Sequence, residues 1–153
     1  MISEQKRYSA GYNQVWVYME GRREADLQGV LYHPGLDAAW RFEGLVKLMQ
    51  RCEQIYNALD YPSPAYRLRN IRAKRETEGK ELGDLKEEAV EFDPQGQEKP
   101  TFIIRVQYRQ NASWQGSVQW VEKGMKRNFR STLELIKLMD EAISDGEDDA
   151  SWD

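Results

Sequence analysis

Residues 102–143 read FIIRVQYRQNASWQGSVQWVEKGMKRNFRSTLELIKLMDEAI, and residues 15–56 read VWVYMEGRREADLQGVLYHPGLDAAWRFEGLVKLMQRCEQIY. The two lie over each other at an offset of 87 with no gap, and six positions are identical: Arg22/Arg109, Ala25/Ala112, Gln28/Gln115, Gly29/Gly116, Phe42/Phe129 and Leu48/Leu135. Parity carries more weight than identity. Phe102, Ile104, Val106 and Tyr108 alternate with Ile103, Arg105 and Gln107, the period of a half-buried strand. In the earlier stretch Val15, Val17 and Met19 alternate with Trp16, Tyr18 and Glu20 in the same phase. A second strand follows in each, placing Trp114, Gly116, Val118 and Trp120 against Leu27, Gly29, Leu31 and His33. A slip of one residue would turn every side chain to the wrong face, so agreement across two strands is a demanding match.

Working outward, Arg22 to Asp26 and Arg109 to Ser113 are polar and read as hairpin loops. A connection with a short third strand ends at Phe42 or Phe129, and a helix follows. Ser131 and Glu134 have the spacing of a capping box, and Gly44 is the corresponding N-cap in the first copy. The helical stripes are Val46, Met49, Cys52 and Tyr56 against Leu133, Ile136, Met139 and Ile143, widened by Leu48 and Leu135. Each unit thus reads β-β-(β)-α. A lone hairpin is marginal in water, whereas two units sharing one sheet bury each other's apolar faces. The expected fold is α+β: an internally duplicated β-β-(β)-α unit forming an antiparallel sheet with two helices packed on one face. The repeats occupy 1–60 and 101–143. Between them lies a charged linker, 61–100, with a short helix expected around Leu82 to Val90, and residues 144–153 form an acidic disordered tail.

The 153 residues suffice for one domain with a real core. A formal net charge of −4 argues against broad, non-specific nucleic-acid binding, which needs many phosphate-neutralising cations. There is no apolar run of membrane-spanning length and no signal-peptide pattern, so a cytoplasmic protein without membrane contact is expected. The single cysteine, Cys52, excludes an intrachain disulfide and reads as a small packed hydrophobe. The single histidine, His33, excludes a multi-histidine metal site and stands at a strand end where the other copy has Trp120. Gly-rich phosphate loops and metal motifs are absent, and Gly29 and Gly116 each interrupt the inner face of a strand, as at a bulge or where a helix packs closely. Glu43, Glu53, Glu134, Asp140 and Glu141 read as solvated helix-face charge. No enzymatic activity, cofactor or metal is expected.

The candidate binding residues follow from the parity. If helices cover one face of the sheet, Trp16, Tyr18 and Tyr32 stand on the other in the first copy, and Arg105, Gln107, Gln115 and Gln119 in the second. Such a surface suits a protein interface, a homodimer contact, or the stacking of nucleotides; alternatively, the linker folds over it. Arg67, Arg69 and Arg72, followed closely by Lys74 and Arg75, add a basic cluster suited to phosphates or an acidic partner, or to pairing with the acidic stretch from Glu76 to Glu91.

The segment from Pro100 to Ile143 also resembles a recurrent pattern in short, uncharacterised bacterial proteins of phages and mobile elements. Arg109, Gln110, Asn111, Trp114, Gln115, Gly116, Phe129, Arg130, Ser131, Glu134 and Leu135 carry it, as RQNxxWQG followed by FRSxLEL. QVWVYMEGRREADLQGVLYHP and WRFEGLVKLM in the first half look like the partner pattern. The resemblance implies no activity or site residue. By analogy it points to a non-enzymatic protein acting by protein–protein contact, such as an inhibitor of a bacterial defence system, with a nucleotide-signal or single-stranded nucleic-acid binder as the alternative.

Overall fold

A computed structural model describes residues 12–20, 27–60, 82–110 and 113–144. The elements run β1 (Gln14–Met19), β2 (Gln28–His33), β3 (Ala38–Glu43), α1 (Gly44–Leu59), α2 (82–88), a 3-10 turn (Pro94–Gly96), β4 (Phe102–Gln110), β5 (Ser113–Trp120), β6 (Met125–Phe129) and α3 (Thr132–Ser144). The class is α+β. Six strands form one sheet in the order β3-β2-β1-β4-β5-β6, and every neighbouring pair is antiparallel.

Strand parity explains the core. The row Met125–Trp120–Phe102–Val17–Leu31–Trp40 crosses all six strands on one face, and every member from Trp120 to Trp40 is buried. Leu45, Leu48, Met49, Cys52, Ile55 and Tyr56 of α1 join the same cluster as Leu135, Met139 and Ala142 of α3. Each such aliphatic or aromatic side chain contributes about 1.5–3 kcal/mol when fully removed from water. The expected stripe fails in its first turn: Val46 is 61% exposed and Leu133 76%. In α1 the physical reason is the junction with β3. Gly44, with a left-handed φ of 81°, follows Glu43 directly, and the turn aims Leu45 and Leu48 at the core instead of Val46. Glu43 flanks the helix without a side-chain cap, so Gly44 is the turn residue and not the cap that the sequence suggests. In α3 the serine half of the expected capping box forms, with Glu134 N–H donating to Ser131 Oγ at 3.1 Å, while the Glu134 carboxylate lies toward Arg130.

Two glycines are required by close strand approach. A Cβ on Gly29 would collide with the carbonyl oxygen of Tyr18, and one on Gly116 with that of Arg105. The intruding atom is thus the backbone of the adjacent strand, and not the closely packed helix that the sequence suggests.

Part of the stretch read as linker is structural. Leu85 of α2 enters the core, where its carbonyl accepts from Trp40 Nε1 at 2.7 Å. Glu88 pairs with Arg51 of α1. The Val90 N–H then donates to Ala39 O at 2.8 Å, forming a single bridge on the edge strand β3. Phe92 lands on the other face, with ring centroids 4.9 Å from Tyr18 and 5.7 Å from Tyr32. Residues 82–92 therefore form a strap around the β3 edge, which is one way proteins close an edge that would otherwise pair with strangers.

Candidate binding surface

The face opposite the main core is built from the alternate residues of the same strands. One row crosses it completely: Lys126–Gln119–Ile103–Trp16–Tyr32–Ala39. Beside it runs Asn128–Ser117–Arg105–Gln14. The structure thus brings Trp16, Tyr18, Tyr32, Arg105 and Gln119 onto one face.

Exposure divides this face in two. On the β3 side, Val30, Tyr32 and Ala39 are buried beneath a second small cluster that includes Trp16, Tyr18, Val90 and Phe92. Tyr32 is only 7% exposed, so the open aromatic patch drawn from the sequence is corrected: the strap covers most of it. The phenol of Tyr32 donates to Asp37 Oδ1 at 2.7 Å, and burial together with that bond pushes its pKa up to about 12. Burial likewise raises Tyr18. Trp16 remains half-buried, its Nε1 donating to Gln14 Oε1 at 2.9 Å.

On the β6 side the face is polar. Arg105 and Gln119 are half-buried, and Lys126 and Asn128 are exposed. Arg105 lies between Gln14 and Ser117 on the neighbouring strands, and among the described residues no carboxylate pairs with it. Gln107 is exposed but occupies a bulge, where the register shifts between Val106 and Tyr108. Arg67, Arg69 and Arg72 lie outside the described residues, as do the loop around Arg22 and the acidic tail.

The bulge corrects another expectation. Arg109 is not in a hairpin loop but within β4, opposite Trp114, and is 3% exposed. Without the extra residue its parity would turn it outward; with it, the guanidinium reaches α1, pairing with Glu53 at 3.4 Å and donating to Asn57 Oδ1. Glu53 also accepts from Trp114 Nε1 at 2.6 Å, so it anchors the sheet to α1 and is not the purely solvated charge the helix pattern suggests. Deeper in, the Tyr56 hydroxyl is buried with no hydrogen-bond partner among the described residues, and burial raises its pKa well above the usual value. Burial pushes the Cys52 thiol up to about 12, which removes thiolate character at neutral pH.

His33 is fully buried: Nε2 faces Tyr12 O at 3.1 Å and Nδ1 accepts from Leu36 N–H at 3.1 Å. Among the described residues, no group of three or more His, Cys, Asp or Glu is placed to hold a metal ion. A cleft of about 790 Å³ opens at one end of the sheet between Tyr18, Phe92, Lys99, Phe102, Trp120 and Ile143. Its lining mixes apolar residues with Glu20, Glu98, Lys99 and Glu122. Comparison with protein-family models, curated proteins and solved structures returned no match. Among the described residues, no helix is long and apolar enough to cross a membrane.

Proposed function

We propose that this chain is a non-enzymatic binding protein, made of two copies of one β-β-β-α unit, that holds a protein partner on the uncovered half of its outer sheet face. The duplication is supported by register. Adding 87 to Trp16↔Tyr32 gives the observed pair Ile103↔Gln119, and Gly29↔Phe42 becomes Gly116↔Phe129. At the junction, Val15↔Ile104 maps onto Val17↔Phe102, a twofold relation. The clashes that require Gly29 and Gly116 involve Tyr18 and Arg105, which are equivalent at the same offset. Packing of both helices on one face is favoured by their shared core cluster. The two copies then differ on the outer face: one is aromatic and strapped, the other polar and open.

Arg105 is the observation that carries the binding reading. A half-buried guanidinium with no carboxylate partner among the described residues, flanked by Trp16, Gln14 and Gln119, is suited to a planar or bidentate contact with a partner's carboxylate or carbonyls. Arg and Trp are the residue types enriched in the energetic centres of protein interfaces. The resemblance to phage and mobile-element proteins directs the search for that partner to bacterial defence proteins.

Affinity capture from bacterial extracts tests this with wild type, Arg105→Glu, Trp16→Ala and, as a surface control, Lys47→Glu. A protein retained by wild type and Lys47→Glu but lost with Arg105→Glu is the expected result. Equal retention by a folded Arg105→Glu variant would refute the assignment. A nucleotide or single-stranded nucleic-acid reading draws on Trp16 beside Arg105, which could stack a base and hold a phosphate. It is the weaker reading because Phe92 occupies the rings of Tyr18 and Tyr32, leaving of the three aromatics only the half-buried Trp16, itself tilted against Tyr32, to stack a base. Tryptophan quenching by nucleotides or short oligonucleotides, lost in Trp16→Ala, would reverse that order.

A further inference from the structure

We propose that the free edge of β6 docks an extended acidic segment of the partner protein as an added strand; this extends the protein-binding reading above by naming the chemistry of what is bound. The two edges of the sheet are treated differently. The β3 edge is closed by Val90, whereas β6 (Met125–Phe129) pairs only with β5 among the described residues. An unpaired edge presents a row of backbone donors and acceptors that can take another strand.

The side chains along this edge select the occupant. Lys126 and Asn128 stand exposed on the outer face, in line with Gln119 and Ser117. Arg127 is half-buried on the opposite face, across from Val118. The strand MKRNF carries no acid, and among the described residues neither Lys126 nor Arg127 has an ion-pair partner. Arg130, just beyond, is 91% exposed at the side chain and only 3.7 Å from Glu134, a loose contact. A second copy of β6 would bring the same cations back against this strand, and like charges on facing strands are destabilising. An apolar segment would leave both charges uncompensated. A segment with adjacent acidic residues meets both, because neighbouring strand residues face opposite sides and place one carboxylate by Lys126 and the other by Arg127. Cations that guard the edge against self-association thereby choose an acidic strand.

The test uses the full chain and two capped peptides, Val-Thr-Val-Glu-Glu-Val-Thr-Val and its counterpart with two lysines in place of the glutamates. Amide hydrogen exchange and chemical shifts across residues 125–129 are followed during titration. The expected result is protection, by the glutamate peptide alone, of the amides in this stretch that point away from β5. The double variant Lys126→Glu/Arg127→Glu should bind that peptide about tenfold more weakly and accept the lysine peptide. The surface variant Lys47→Glu, on α1, should leave edge binding unchanged. The inference is overturned if the glutamate peptide gives no protection at millimolar concentration, if charge reversal has no effect, if Lys47→Glu weakens binding as much as the double variant, or if light scattering shows dimers with these amides already protected. Peptide failure alongside partner capture that depends on Arg105 would remove the edge site and leave the protein-binding reading standing.

Discussion

Replacing His33 tests how the β2–β3 turn is held, because the residue's hydrogen bonds allow one protonation state. Leu36 N–H donates to Nδ1, so the ring proton sits on Nε2 and is donated to Tyr12 O. Protonation would set a donor on Nδ1 against a donor N–H. Burial holds the pKa down to about 4, from 6.5. The unfolded chain binds this proton near pH 6.5 and the native protein does not, so stability from neutral His33 is full above pH 6.5 and lost as pH falls toward 4. Between pH 7 and pH 5 the difference spans about 1.5 pH units of differential protonation, a loss of ~2 kcal/mol. Urea unfolding of wild type and His33→Gln at both pH values isolates it, because the carboxylates titrate in both proteins. The variant should be less stable at pH 7, yet its loss on going to pH 5 should be ~2 kcal/mol smaller than that of wild type. Parallel losses would refute the neutral, buried assignment.

Other substitutions probe the remaining features. Gly116→Ala and Gly29→Ala should each cost about 3 kcal/mol in chemical denaturation, because the added methyl meets backbone that cannot move without parting two strands. A change below about 0.5 kcal/mol, the range of ordinary surface substitutions, would mean that the strands are further apart than described. Tyr56→Phe removes a buried hydroxyl that has no partner among the described residues and should raise stability by about 1 kcal/mol; a loss of that size would reveal a hidden hydrogen bond. Phe92→Ala should cost about 1–2 kcal/mol and speed hydrogen exchange at the Val90 amide, which bonds Ala39 O across the strap. Unchanged exchange there would show that the strap is held without Phe92.

The elements that are legible in the sequence are those with a local period. Alternation at Val15–Val17 and Phe102–Ile104–Val106 announces strands and their buried faces, and the Ser131–Glu134 spacing announces the start of α3. The candidate site is legible in position but not in exposure. Trp16, Tyr18 and Tyr32 share a face as their parity requires, yet nothing near them in sequence says that Phe92, about sixty residues beyond Tyr32, closes over two of them. Arg109 escapes sequence reading for a related reason. One unpaired residue at Gln107 reverses its parity, and a bulge leaves no mark in a pattern of period two.

By itself, then, the sequence determined the first two strands of each unit with their buried faces up to Gln107, the two long helices, and Gly29 and Gly116 as points of irregularity or close packing in their strands. Each is a consequence of spacing along the chain, where one residue's neighbours are its own near neighbours in sequence. Tertiary structure alone decided that β1 lies against β4, that the strap closes β3, and that, among the described residues, β6 keeps an unpaired edge and Arg105 stands half-buried with no carboxylate partner. Those outcomes depend on which distant segments meet, and the free energy of such contacts is set by burial and pairing across the fold, not by any pattern written within one segment.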